Sequence, residues 1–448
     1  MRRIAILVLL FVGMQLILPL GTIAHAPQSE TLMVFGFLLL AAYTMGEIGA
    51  ALHLPKITGY LLAGLLFGPF VLGVVSPDVI TELEPVNRLA IALIAFLAGA
   101  ELRWSELKER WRAIMRILGT ELLLSFLLIS ATLLVLQRYV PFLATSSGHE
   151  VFALVALFAA VAIVHSPAVT MAILTETKAH GVVARTTLGI VLVADVVVVL
   201  LFSGTLTIVR AVIPGAAAAG GLSAGTLAWE IGGSVLVGGL LGAGVALYLR
   251  FVQRELLMFA IVVTFFGAAI AQLLHVETLL TLLVAGFVTE NGTKAGGREL
   301  LEAMERSAAP VFVVFFALAG ASIHLTELAM MWPIALAVVA ARGLGIFGGT
   351  RLGARMSNTG PAEKRYVWLG LISQAGVAIG LVTVVADAYP TRGAEMRTLF
   401  LAMIAINEIA GQILFRHALV ASGEVQESRG QTADSRGSIT EGTAEGRG

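Results

Sequence analysis

The chain of 448 residues contains no cysteine, which excludes disulfides, thiolate metal sites and cysteine nucleophiles. Charged residues are scarce at 13%, about half the share usual in a soluble globular domain. They also balance, 29 Lys and Arg against 29 Asp and Glu, so no net charge recruits nucleic acid. The alternating ten-residue segments that build a membrane β-barrel are missing. What is there is apolar. Hydrophobic residues make up 58%, glycine fills 48 positions and mean hydropathy is +0.93. Continuous apolar runs of about twenty residues point to membrane-spanning helices. They exclude a soluble enzyme, a disordered chain and a coiled coil, and neither enzymatic activity nor a cofactor is expected. The fold class predicted is an all-α polytopic membrane protein.

Arg2 and Arg3 precede an apolar run from Ile4 to Leu20, and Ala24-His25-Ala26 resembles a cleavage site. Residues 1–26 therefore read as a signal peptide or a first helix. Thirteen further spans are predicted, near 31–53, 56–75, 87–102, 113–137, 151–175, 183–209, 229–249, 256–274, 277–290, 309–323, 330–353, 366–387 and 395–416. Together they make a transmembrane unit over 27–420. Basic residues concentrate in alternate loops: Arg103, Lys108, Arg110, Arg112 and Arg116; Lys178 and Arg185; Arg250 and Arg254; Lys294, Arg298 and Arg306; Arg351, Arg355, Lys364 and Arg365. The opposite loops carry Asp78, Glu82, Glu84, Glu277 and Glu327. This bias puts the N-terminus outside and the C-terminus in the cytoplasm of a multi-pass protein of the cell (inner) membrane. Residues 421–448 are rich in Gly, Ser, Thr and Glu and read as a disordered cytoplasmic tail. No Gly-rich fingerprint follows a strand there, so no attached dinucleotide-binding domain is expected.

Two short strings recur. Leu62-Ala63-Gly64 matches Val284-Ala285-Gly286, and Leu97-Ala98-Gly99-Ala100-Glu101-Leu102 matches Leu318-Ala319-Gly320-Ala321-Ser322-Ile323. The offsets, 222 and 221 residues, nearly agree. A shift of seven spans inverts topology, so the reading is two inverted six-helix repeats, about 31–210 and 256–416, with the seventh span as connector. Inverted repeats of this kind place a substrate site near the midplane.

Span 5 contains His165-Ser166-Pro167, and a mid-span proline breaks the helix. Span 12, fifth of its half, has Ser373-Gln374-Ala375-Gly376 in the corresponding place. Freed backbone carbonyls survive in a membrane only against protein or a cavity, and they can coordinate a cation. Ser166, His165 and Gln374 are the candidate ion-binding side chains of the breaks, with a proline kink and a packed histidine as the bland alternatives.

A charge at the bilayer centre costs about 2.5–3.5 kcal/mol on insertion scales, so each needs a reason. Asp195 is flanked by apolar residues on both sides and is expected to carry a cation or proton. Arg342, mid-span, is the candidate charge-compensating group for Asp195. Glu408, beside Asn407, occupies the place symmetric to Asp195 as a possible second titrating group or a structural partner. Glu121 reads as a structural charge, and Glu47 and Glu101 as solvated.

These residues resemble the monovalent cation:proton antiporter superfamily, in its Kef-like/sodium-proton exchanger branch, over roughly residues 31–416. The resemblance rests on Leu54-Pro55-Lys56-Ile57-Thr58-Gly59-Tyr60-Leu61-Leu62-Ala63-Gly64-Leu65-Leu66-Phe67-Gly68-Pro69, Phe96-Leu97-Ala98-Gly99-Ala100-Glu101-Leu102, Ser166-Pro167-Ala168-Val169, Asp195 and Phe315-Phe316-Ala317-Leu318-Ala319-Gly320. It implies two crossed broken helices beside an ion-carrying aspartate, Asp195. It also implies a homodimer in which a core domain moves against a dimerisation domain. The chain departs from the pattern at Ala194, where the family has Asp, Asn or Gln, at His165, where it often has Thr, and at Val377, where many members have Glu. The activity expected is exchange of Na+ or K+ for H+ across the lipid bilayer by alternating access. No metal is expected beyond the transported cation. The competing class is a non-transporting sensor or scaffold that keeps the fold; a channel would need a filter-like repeat that the chain lacks.

Overall fold

The structure, a computed structural model, describes residues 2–23, 27–212, 224–251, 256–292, 296–374 and 376–425. It is helical throughout, and no strand occurs among the described residues. The first half comprises α1 (Arg2–Ile23), α2 (Pro27–Ala51), α3 (Lys56–Phe67), the short α4 (Pro77–Glu82), α5 (Glu84–Ala100), α6 (Trp104–Val135), the short α7 (Pro141–Ala144), α8 (Gly148–Ala162), α9 (Pro167–Thr177) and α10 (Val182–Val212). Helix α11 (Ala224–Phe251) leads to the second half. That half comprises α12 (Leu256–Leu273), α13 (Thr278–Gly292), α14 (Gly296–Ala321), α15 (Leu325–Met356), α16 (Pro361–Gly370), α17 (Gly376–Ala388) and α18 (Pro390–Ala421).

Each predicted span falls on a helix, and spans 5 and 12 fall on two consecutive helices, α8–α9 and α16–α17. By length and composition, seven segments among the described residues can cross a membrane, while α3, α12 and α13 are apolar but shorter. Helix length alone thus does not return the expected total of thirteen. The cleavage-like residues 24–26 and tail residues 426–448 lie outside the described residues. Residues 422–425, at the start of the tail, are among those described. The Glu424 carboxylate accepts bonds from the amides of Val183 (2.8 Å) and Ala184 (2.9 Å), capping the N-terminus of α10.

Why the chain breaks where it does is local chemistry. Pro167 takes the first position of α9, where its missing N–H is no loss, and the Ser166 hydroxyl accepts from Val169 N at 3.3 Å as the N-cap. At the other break α16 ends at Gly370, Leu371 N still donates to Trp368 O at 3.2 Å, and Ile372 to Gln374 lie in no helix.

The repeated strings meet each other in space. A Cβ on Gly64 would lie 1.9 Å from the Ala317 carbonyl oxygen, and one on Gly320 would lie 2.0 Å from that of Leu61. Helix α3 therefore crosses α14 backbone to backbone, which only glycine permits. The image crossing repeats this: Gly286 would meet Phe96 O at 2.0 Å, and Gly99 would meet Leu283 O at 1.9 Å. Shifting 61 and 64 by 222 gives 283 and 286, and shifting 96 and 99 by 221 gives 317 and 320. The α3–α14 contact thus maps residue for residue onto α13–α5, as an exchange of the two halves requires.

Two hydrophobic clusters form the interior. One is built mainly on α2, α3, α5, α9 and α14. The other is built mainly on α6, α8, α10, α15, α17 and α18.

Candidate functional site

The two breaks lie against each other, and side chains bind them together. Gln374 Nε2 donates to the Ala162 carbonyl oxygen at 2.7 Å, and Asn407 Nδ2 donates to Gln374 Oε1 at 2.8 Å. Arg342, 1% exposed, reaches both breaks at once. Its Nε donates to Ala162 O (2.8 Å) and Nη2 to Val164 O (2.9 Å) on one side, and its Nη1 donates to Ile372 O (2.7 Å) and Nη2 to Leu371 O (3.3 Å) on the other. A broken helix leaves carbonyl oxygens without amide partners, and in hydrocarbon these must be satisfied by protein. A guanidinium, with five donors in a fixed fork, suits that task where an ammonium would not.

The expected pairing of Arg342 with Asp195 is not formed. Among the described residues no donor reaches either Asp195 carboxylate oxygen, and both are buried. The carbonyls of the crossing occupy the guanidinium instead.

His165 stands inside the same crossing. Its Nδ1 lies 2.7 Å from Leu371 O and 3.3 Å from Arg342 Nη2, and its Nε2 lies 3.1 Å from Glu121 Oε2. Ser125 Oγ donates to Glu121 Oε1 at 2.8 Å. Glu121, read from the sequence only as a structural charge, is fully buried and belongs to this network. Ser166 caps α9, and His165 and Gln374 bridge the two breaks.

Asp195 faces elsewhere. It lines a cavity of about 550 Å³ with Arg88 and Ile91 of α5, Glu230 of α11, Gln272, Glu277, Leu280 and Leu283 of the α12–α13 region, and Gly380 and Val384 of α17. The walls come from helices of both hydrophobic clusters. Ser166, His165, Gln374 and Arg342 are not among the lining residues. Glu277 is held in place: its carboxylate accepts from Leu279 N at 3.1 Å and from Leu280 N, and its own N–H donates to Ser234 Oγ at 2.9 Å. Sequence reasoning did not single out Glu230 or Glu277 for the cavity. Glu230 carried the usable signal, a carboxylate inside the apolar run of α11.

Glu408 is buried on α18, and its Oε1 has no partner. It is bonded neither to Arg342 nor to a Ser or Gln side chain. Ser373 Oγ packs one turn further along the helix, where it would meet a Cβ at Gly411 at 2.2 Å.

The family model described as sodium/hydrogen exchanger, transmembrane, matches residues 34–418. A structure of the sodium/proton antiporter MjNhaP1 from Methanocaldococcus jannaschii at pH 8 superposes with a TM-score of 0.61 at 20% identity, covering 87% of this chain and 96% of that one. An electron-microscopy structure of the same antiporter gives 0.65 at 18% identity, covering 88% and 98%.

Proposed function

Because the chain belongs to the sodium/hydrogen exchanger family, transporters and not enzymes, we propose that it is a secondary active transporter exchanging Na+ or K+ for H+, with Asp195 as the shared carrier. The observation that carries the reading is the state of the Asp195 carboxylate. It is buried, borders a cavity and has no hydrogen-bond or ion-pair partner. A carboxylate that is ionised and unpaired away from water costs several kcal/mol, so the group is neutral unless a cation sits beside it. Proton and cation then exclude each other at one site, which is what an exchanger needs.

The position of the cavity supports alternating access. Its walls are drawn from both packing clusters, so sliding one against the other closes it without unfolding a helix. We read the Glu277 side of the cavity as outward-facing, from the scarcity of basic residues in its loops, with the C-terminus cytoplasmic, in the cell membrane. As the resemblance implies, the working unit is a homodimer.

The test is proton flux in vesicles holding the purified protein, with Na+, K+ or Li+ added one at a time. Exchange with at least one of these cations, lost in a folded Asp195→Asn, is the expected result. Undiminished exchange in that variant removes Asp195 from the centre. A folded wild type silent with every cation favours a scaffold that keeps the fold.

A further inference from the structure

The cavity at Asp195 lies toward one face of the molecule, and a set of polar contacts holds the opposite face together. Arg88, near the start of α5, lines the cavity. Thirteen residues on, about 20 Å along the helix, Glu101 Oε1 lies 3.8 Å from His180 Nδ1, just past the end of α9. At that far end three side chains of α9 and α18 grip the start of α3 and the turn before it. The Glu176 carboxylate of α9 accepts from Lys56 N at 2.7 Å and from Ile57 N at 3.4 Å, the first two amides of α3. Gln412 Oε1 of α18 accepts from Thr58 Oγ1 at 2.8 Å, and both residues are buried. Arg416 Nη1, one turn further along α18, donates to His53 O at 3.0 Å. None of these residues lines the cavity.

Glu176 stands where a helix normally caps itself. Helix α3 starts after Pro55, whose side chain makes no cap bond, so its first amides need an acceptor from elsewhere. The acceptor comes from 119 and 120 residues away, on the helix that follows the His165-Ser166-Pro167 break. A serine or aspartate at the N-cap would serve α3 in any arrangement of the helices. A carboxylate on α9 serves it only while α3 and α9 are together.

Behind this grip the polar groups are incompletely matched. Gln412 Nε2 and Glu408 Oε1, four residues apart on one face of α18, are buried without partners among the described residues. So is Ser373 Oγ, which packs against α18 at Gly411, between them. Asn407, next to Glu408, already bonds Gln374 at the crossing. A buried polar group left unpaired costs free energy that hydration recovers. A file of such groups from the α2–α3 turn toward the crossing suits a passage that is dry in this conformation and wet in another.

We propose that Glu176, Gln412 and Arg416 form a latch that keeps the cytoplasmic face shut while the Asp195 cavity is open, and that exchange requires the latch to release the α2–α3 turn. The proposal rests on the reading of Asp195 as a carrier in alternating access. The three are positioning residues, acting on which face Asp195 meets and not on the ion.

The chain has no cysteine, so single cysteines can report on each face. Gln412→Cys reports on the latch, and Ile231→Cys on the cavity wall. Each is placed in the full chain, in vesicles of known orientation, and labelled from its own face with a membrane-impermeant methanethiosulfonate. Gln412→Cys should label slowly, since Glu176 and Arg416 still hold the turn, and Ile231→Cys quickly. Adding Glu176→Ala and Arg416→Ala should speed labelling at 412 by about tenfold or more, the weight of one hydrogen bond to a charged group, and slow it at 231. Glu176→Gln, a milder change that keeps one acceptor, should move both rates the same way by less. Fast labelling at 412 with the latch side chains present, no gain on removing them, or a gain at 412 with 231 unmoved, as simple fraying of α3 would give, would each overturn the latch. Labelling needs no transport. A parent silent with every cation, or undiminished exchange in Asp195→Asn, removes the Asp195 reading, while the two labelling rates still decide the latch.

Discussion

Gln374 donates to the carbonyl oxygen of Ala162 at 2.7 Å, so the second broken helix supplies the hydrogen bond that the first gave up. Removing that donor has a definite cost. Gln374→Leu leaves the Asn407 amide without its acceptor and Ala162 O with Arg342 alone. A loss of about 1–3 kcal/mol is expected for a buried polar group left unpaired. Thermal unfolding in detergent, compared with the parent, measures it.

Arg342 is expected to matter more for folding than for ion selectivity. Arg342→Leu strips donors from both breaks, and a loss of about 3–5 kcal/mol is expected by analogy with breaking a buried charged contact. Arg342→Lys keeps the charge but cannot span four carbonyls with one ammonium, so it should recover only part of the stability. Equal melting temperatures for the leucine and lysine variants would contradict the bridging role.

Glu230 borders the same cavity as Asp195. Glu230→Gln should lower cation capture, raising apparent KM while leaving the maximal rate nearly unchanged. The effect should shrink as ionic strength rises, since charge attraction by the half-buried Glu230 carboxylate is screened over about 8–10 Å at moderate salt. Flux measured at two salt concentrations decides.

The matched helix crossings make a paired expectation. Gly64→Ala and Gly286→Ala both drive a methyl into a carbonyl oxygen at nearly the same distance. Each should destabilise by about 1–3 kcal/mol or more, as overpacking does, and the two should agree within the error of thermal unfolding. A large difference would mean that the two crossings are not equivalent under load.

Ala194 leaves Asp195 as the lone ionisable group at its point of the helix. One carboxylate releases one proton for one monovalent cation, so exchange should be electroneutral. Clamping vesicle potential with valinomycin and driving with Na+ should leave the equilibrium pH gradient unmoved. A gradient that follows potential would bring Glu408 into the transport cycle.

The breaks, the repeat and Asp195 were legible because each leaves a mark in one-letter code: a mid-span proline, a doubled Leu-Ala-Gly string, an acid among valines. The partners of Arg342 were not, because carbonyl oxygens belong to every residue and carry no letter. The sequence suggested a carboxylate for that arginine, as charge would dictate, whereas the fold offered four backbone oxygens. Glu121 lies 44 residues from the histidine it meets, so only tertiary packing tells it from a surface charge. Glu277 sits in the turn before α13, where a solvated reading competes.

Glu424 caps amides that were made some 240 residues earlier. While the chain is being synthesised, the amides of Val183 and Ala184 lack this carboxylate, and the helix that carries Asp195 begins without its cap. It is completed when α18 has been laid down and the segment behind it folds back. Assembly of the first half is therefore certified by the last residues of the second, and a nascent chain stalled before Glu424 presents an open helix end at its aqueous edge.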